Sequence, residues 1–427
     1  MHDEASHSHK NLEKMMTTDL LLIQTYLRTE QVDGWLLYGF RDQNPIALAV
    51  AGLRSAGSRR WFLWIPAEGR PAWIVQAIER TTFLELPAEL AGEVHLYVTW
   101  QQMNERLTQV VRVNGQPAKR ILMEYSPENA IPYVSRVDAG IMEVVIKSTG
   151  AQILSSADAV QLAVARIRPP HLAGHRRAAA ICLAAKDATY AWIAHRLRNQ
   201  QPVNEYTAQQ FITEQFAVAG LEPLDSIVAV NGNAADPHYF PTAKRHSPIQ
   251  VGDVVLIDLW SREQGDPDSC FADCTWTAYC GAQTPKKVTA IFEVVRRGRD
   301  QAVEFIQERM GAGAPVYGYE VDDVCRTLIE AAGYGHGILH RTGHSLGSTG
   351  HFIGVNIDNV ETQDRRRLLP GVMFTIEPGI YLPDFNFDDS PTAKGLGIRS
   401  EVNCFVHPDR LEVTTLPLQT EVKALLA

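Results

Sequence analysis

VGDVVLID (251–258) and PGVMFTIE (370–377) repeat one pattern, in which a mostly apolar run follows a glycine and an acid stands six residues after it. Gly252 leads to Asp258, and Gly371 leads to Glu377. Each reads as a tight turn, a buried strand and a carboxylate at the strand's end. An acid closing an apolar run is a local inconsistency, because a buried carboxylate needs a cation or several donors. Two of them on matching turn-strand units point to a duplicated half-domain with a pseudo-two-fold site. The competing reading is that both acids cap their strands and meet arginines or backbone amides. Three further candidates, Asp273, His344 and Glu401, lie in short strand-like segments of the same region. Unrelated structural acids would not be expected to share this spacing.

Four carboxylates and one imidazole form a hard, charge-rich cage, better suited to paired Mn, Co, Fe or Zn ions than to a structural zinc. Without metal the carboxylates repel one another. Two divalent ions offset that charge and leave room for a bridging hydroxide, a nucleophile at neutral pH.

Outward from these segments the chain reads as two domains, 1–158 and 159–427. The first alternates strands (GWLLYG, RRWFLWIP, PAWIVQ, EVHLYVTW, RILMEYS) with helical stretches such as TTDLLLIQTYLRTEQ, giving an α/β domain with its own core. It has few convergent polar groups, so its expected role is shape and oligomer contacts. From Pro169-Pro170 the pattern changes to long helices. AGHRRAAAICLAAKDATYAWIAHRL is followed by a helix capped at Asn204 and stopped at Gly220, and two more span 285–310 and 320–333. The ligand-bearing segments interleave with these, so the fold class is α+β, with helices packed on one face of a mainly antiparallel sheet.

Composition bounds the partners. The chain has 427 residues, 45% hydrophobic and 21% charged, with a formal charge of -9. That balance and the lack of a basic patch argue against nucleic acid and anionic membranes. A small or peptidic substrate is the better expectation. No apolar run has the length of a membrane span, and MHDEASHSHK carries no signal-peptide pattern, so a cytoplasmic location is expected. The six cysteines lack paired CxxC spacing and read as thiols, with Cys270 and Cys274 flanking Asp273. His2, His7 and His9 read as a polar terminus.

Five motifs, NGNAADPHY (231–239), VVLIDLW with FADCTW, HRTGHSLGSTGH (340–351), FTIEPGIY (374–381) and GIRSEV (397–402), resemble those of the pita-bread metallopeptidases. That group includes aminopeptidase P, prolidase and methionine aminopeptidase. The resemblance implies a C-terminal pita-bread fold behind a smaller creatinase-like domain. It also implies a dinuclear exopeptidase that hydrolyses Xaa-Pro bonds by attack of a metal-bridged hydroxide, with two divalent ions per subunit, manganese first. A homodimer and a peptide or dipeptide substrate are implied as well.

By the same resemblance Asp258 chelates one metal, Asp273 and Glu401 bridge both, and His344 and Glu377 hold the other. Glu377 is also the proton shuttle. His238 contacts the bound peptide, His351 lies beside the scissile carbonyl, and His340 matches a position of proline-specific members. Arg399 pairs with a metal-site acid or a substrate carboxylate, and Tyr381 and Tyr239 line the pocket or simply pack. The alternatives are a pita-bread protein that binds a partner without catalysis and a metal-free C–N hydrolase like creatinase. The complete ligand set argues against both.

Three departures from the pattern stand out. The connection SREQGDPDSC (261–270) is long and makes Asp266 and Asp268 lesser candidates, Trp276 stands where relatives often carry arginine, and FIGVNIDNVE after His351 lacks an acid common in relatives. Specificity is expected to be settled at Trp276 and after His351.

Overall fold

The computed structural model describes residues 19–387 and 394–427. His2, His7 and His9 lie outside them. The chain divides into two compact units, one ending at Val164 and the other running from Ala165 to Ala427.

The first unit contains α1 (Leu20–Thr29), β1 (Gly34–Gly39), α2 (Pro45–Ala51), β2 (Trp61–Pro66), β3 (Ala72–Gln76), β4 (Glu93–Tyr97), α3 (Trp100–Val110), β5 (Arg120–Met123), α4 (Ala139–Thr149) and β6 (Gln152–Ser155). Its sheet has the order β4-β3-β2-β1-β5-β6. The all-apolar β1 and β2 run antiparallel from Gly34↔Pro66 to Gly39↔Trp61 and are buried throughout. Every expected strand of this unit is present, but EVHLYVTW ends early at Tyr97. Thr99 and Gln102 exchange side-chain and backbone hydrogen bonds there, so Trp100 opens a helix. The half-buried β6 went unread because four residues carry too little alternation.

This unit also buries one carboxylate. Glu124 accepts from Trp35 Nε1 at 2.6 Å and from Asn44 Nδ2 at 2.8 Å. Burial pushes it up to about 7, against those hydrogen bonds. The unfolded chain releases this proton near its ordinary value while the folded chain retains it, so stability is greatest below that value and falls as pH rises towards 7. The loss is about 3 kcal/mol. Unfolding curves from pH 4.5 to 7.5 should therefore be flatter for Glu124→Gln than for the parent. Identical slopes would remove Glu124 as the cause.

The second unit opens with α5 (Pro169–Arg198), which begins before the expected stretch because its prolines occupy the first helical positions, where no N–H partner is needed. It continues with α6 (Glu205–Val218), β7 (Ile227–Val230), β8 (Val254–Ser261), β9 (Ala272–Tyr279), α7 (Lys286–Gly311) and α8 (Gly318–Ala331). The remaining strands are β10 (Met373–Ile376), β11 (Gly379–Leu382), β12 (Leu396–Arg399), β13 (Val402–Val406), β14 (Leu411–Val413) and β15 (Lys423–Ala424). They form sheets β15-β9-β8-β7, β10-β13-β14 and β11-β12, antiparallel except where β15 joins β9.

The sequence echo has a structural counterpart. Helices of 30 and 14 residues precede β7–β9, and helices of 26 and 14 residues precede β10–β14. The two glycines that open the echo share a left-handed backbone, with φ of 94° at Gly252 and 96° at Gly371.

Each half buries its own core. Val255, Ile257 and Leu259 of β8 and Ala272, Cys274 and Ala278 of β9 pack with α5 and α6. Phe374 and Ile376 of β10 pack with Ile380, Ile398, Val402 and Cys404 against α7 and α8. Strand side chains alternate between faces. The alternate residues of both halves therefore turn away from the helices, and all the candidate strand ligands are among them.

All six cysteines are free and buried. Cys274 belongs to the helix-facing core, on the opposite side of β9 from Asp273. Among the described residues, no helix is long and apolar enough to cross a membrane.

Candidate metal centre

The register of β8 and β9 assembles the first part of the site. Asp258 pairs with Thr275 and Trp260 with Asp273, which places both acids on one face of the hairpin. Asp258 is not at a strand end, as expected from sequence, but inside β8. The strand runs on to Ser261 because pairing continues as far as Ala272.

The other half supplies the remaining candidates. Glu377 follows β10 directly, its backbone N donating to Thr342 O at 2.7 Å. His344 lies in an extended segment bridged on one side by Gly343↔Ile357 and on the other by Ser345↔Phe374. Its Nδ1 is 3.1 Å from Ser345 O, which assigns the proton to Nδ1 and leaves the Nε2 lone pair free to bind. Nε2 is 3.3 Å from Glu377 Oε1 and 3.7 Å from Asp273 Oδ2. Glu401 sits between β12 and β13, and its N–H donates to Thr275 O at 3.1 Å, joining the two halves. Ligand atoms of Asp273, His344 and Glu401 lie within 4.8 Å of one another.

Short polar residues hold the cage. Thr275 Oγ1 is 2.8 Å from Glu401 Oε2, 3.1 Å from Asp258 Oδ1 and 2.9 Å from Arg399 Nε, from which it accepts. Thr375 Oγ1 accepts from His344 N at 2.9 Å and donates to Glu377 Oε1 at 3.0 Å. Asn403 grips the Asp273 backbone, accepting from its N at 2.9 Å and donating to its O at 2.7 Å. From α7 the buried Arg299 donates to Ser400 Oγ at 2.7 Å, beside Glu401.

These supports escaped the sequence reading, yet a signal existed. Thr275, Thr375 and Asn403 each stand two residues from a ligand, the spacing that puts side chains on one strand face.

Charge is under strain here. Burial holds Asp258 above the usual carboxylate range despite Arg399, and holds Asp273 and Glu401 well above it, with neighbouring acids adding to the rise. Arg399 is itself secured in its charged form by the acids around it, and its contact with Asp258 offsets part of that burial but not all of it. Burial acts upward on Glu377 too, but His344 and His340 when protonated, together with Arg399, pull the group below its ordinary value. Glu401 Oε1 is buried with no hydrogen-bond partner. An orphaned carboxylate oxygen among crowded acids, in one cluster with an unprotonated imidazole nitrogen, is what a divalent cation would satisfy. The residues fit a metal.

The flanking candidates divide. His340 Nδ1 donates to Arg341 O at 2.6 Å, while its Nε2 accepts from Tyr381 O–H at 2.6 Å. Burial pushes Tyr381 up to about 12, keeping that proton in place. Arg399 Nη1 donates to the same oxygen at 3.2 Å. His351 packs on His344, with ring centroids 4.2 Å apart. His238 is exposed on the loop after β7 and stands outside these contacts. Tyr239 is buried and bonded to Glu205 at 2.5 Å.

Residues 173–408 match Metallopeptidase family M24. The chain belongs to that family. An Xaa-Pro dipeptidase of Lactobacillus helveticus is 29% identical over 201 residues, 46% of this chain and 48% of the relative. One from Pyrococcus furiosus is 32% identical over 159 residues, 37% of this chain and 40% of the relative. The chain thus spans about half the length, or less, of these curated relatives. Over nearly the whole chain the fold resembles dipeptidase PepE from Mycobacterium ulcerans, with TM-score 0.63, 20% identity and coverage of 95% and 96%. It also resembles the prolidase from Pyrococcus horikoshii OT3, with TM-score 0.54, 21% identity and coverage of 94% and 99%. The second unit of this M24 member is therefore a pita-bread fold.

Against the family pattern, the departures read differently in three dimensions. Trp276 faces α5, where Lys186 Nζ lies 3.5 Å from its ring centroid, and Tyr190 O–H donates to its carbonyl at 2.8 Å. It points away from Asp273 and Thr275, so the expectation that Trp276 governs specificity is corrected by strand alternation. Asp266 and Asp268 gather with His171 in a separate, more exposed group, where Asp268 also meets Arg168 at 3.3 Å. The segment after His351 brings Glu361 to Arg341, at 3.4 Å, between the two motif histidines.

Proposed function

We propose that this M24 protein is a dinuclear, metal-dependent exopeptidase cleaving Xaa-Pro bonds, as an Xaa-Pro aminopeptidase or an Xaa-Pro dipeptidase. The observation that carries the reading is the convergence of Asp273, His344 and Glu401, one oxygen of Glu401 being buried and unpartnered, with Asp258 and Glu377 linked to them through Thr275 and His344. In this reading Asp258 would help to hold one ion, His344 and Glu377 the second, and Asp273 and Glu401 would serve both. Divalent ions there would supply the Lewis acidity that activates a water and polarises a scissile carbonyl.

The chain's own groups do the rest. Glu377, anchored by Thr375, takes the proton of the attacking water and delivers it to the leaving amine. His351, packed at a tilt against His344, stands at the carbonyl in this reading. His340 is fixed in one tautomer by Arg341 O and Tyr381, and meets the proline side of the substrate. Arg399 offsets the charge of Asp258 and, through Tyr381, orients His340. His238 contacts the peptide from its loop. The relatives named Xaa-Pro dipeptidases support the substrate class. Manganese and a homodimer complete the proposal.

Protein stripped by chelator and reloaded with manganese, cobalt or zinc should recover hydrolysis of Xaa-Pro dipeptides or Xaa-Pro-Xaa peptides. The preferred length separates dipeptidase from aminopeptidase. No cleavage of either class with any of the three metals would sink the substrate claim.

A further inference from the structure

Glu205, the first residue of α6, is fully buried and takes no part in the chemistry above. Its Oε1 accepts from Val230 N at 2.8 Å and from Asn233 Nδ2 at 2.9 Å. Its Oε2 accepts from Tyr239 O–H at 2.5 Å and from Ser247 N at 2.6 Å. Those donors mark the end of β7, the first turn of the following loop, the residue after His238, and the returning arm. Burying a carboxylate is costly unless donors surround it. Here four points of one loop provide them.

The loop's other side is pinned as well. A side chain at Gly397 would place its Cβ 1.7 Å from Ala234 O, so the loop backbone lies directly on the β11–β12 hairpin. That hairpin carries Tyr381 and Arg399 on one face, set by the pairs Tyr381↔Gly397 and Gly379↔Arg399. The loop is thus held between Glu205 and a wall of the metal centre, with His238 exposed on it.

We propose that Glu205 is a positioning residue: by gathering the 230–247 loop against the β11–β12 hairpin, it sets where His238 meets the substrate. This rests on the reading of His238 as a peptide contact. Glu205 touches neither the ligands nor the reacting atoms, so its effect is on substrate binding.

In Glu205→Gln one acceptor oxygen becomes an N–H₂ donor facing Val230 N–H or Ser247 N–H, backbone donors that cannot turn away. A buried donor left without its acceptor costs enough to shift the loop, and KM for an Xaa-Pro peptide should rise about tenfold while kcat changes less than about threefold. Metal content should stay at the parent level. Tyr239→Phe removes a single donor and should raise KM by less, which keeps the test valid if the Gln variant folds poorly. Hydrogen exchange of residues 230–247 should lose protection in both variants, with β8 and β9 unchanged.

An unchanged KM per metal-loaded molecule, with only a lower Tm, would mean a merely structural role and overturn the proposal. So would unchanged exchange in the loop. Should the parent protein itself fail to cleave Xaa-Pro peptides, the functional reading falls alone, and the exchange measurement still decides whether Glu205 holds the loop.

Discussion

Glu401→Gln is expected to abolish hydrolysis and, at the same time, to make the metal-free protein more resistant to heat. The two effects have one origin. Glu401 Oε1 is buried without a partner among acids that burial and mutual repulsion already hold above their usual range. Without metal, the neutral amide spares the folded chain either that repulsion or the proton uptake that relieves it, and it keeps an oxygen for Thr275, 2.8 Å away. With metal, the same change removes an anionic ligand. A Lewis acid supplies several kcal/mol of transition-state stabilisation, so its loss costs about a thousandfold or more in rate. Metal content, turnover and thermal unfolding in chelator, measured on parent and variant side by side, check all of this. Parental metal stoichiometry in the variant, or a lower melting point without metal, would contradict the placement of Glu401 in the cage.

Thr275→Val is expected to weaken metal binding or kcat/KM by about 10- to 100-fold, the range seen when groups that orient metal ligands are removed. Valine keeps the shape and deletes the hydroxyl. That hydroxyl has one proton to offer between Asp258 and Glu401 and one lone pair receiving Arg399 Nε. Its loss also strands a buried guanidinium N–H, which costs about 1–3 kcal/mol. Metal titration alongside steady-state kinetics is the measurement, and a change within about twofold in both would show that Thr275 only fills space.

The candidate site was legible in sequence because its candidate ligands break a local rule. A carboxylate in an apolar strand has no cheap structural excuse, and Gly252 and Gly371, both left-handed in the fold, mark the start of each repeat. The residues that steady the cage break no such rule. Threonine is an ordinary strand residue, and Thr275, Thr375 and Asn403 look like filler until pairing sets them on the ligand face. In the sequence Glu205 is simply the acid that follows the Asn204 cap. Its importance depends on a loop that returns to it from residues 230–247.

The chain's periodicity and residue chemistry alone determined the α+β class, all but one of the strands in the first unit's sheet, the paired half-domains and the choice of five candidate ligands. Those properties are local, carried by alternation, turn glycines and side-chain type within a few residues. Tertiary structure alone decided which face each neighbour takes. It turned Trp276 into the helix-packed core and away from the substrate, placed Asp258 inside a strand, separated Asp266 and Asp268 from the cage, and joined the halves through Glu401 and Thr275. A strand offers two faces, and only its pairing partners and the helices packed on it choose between them.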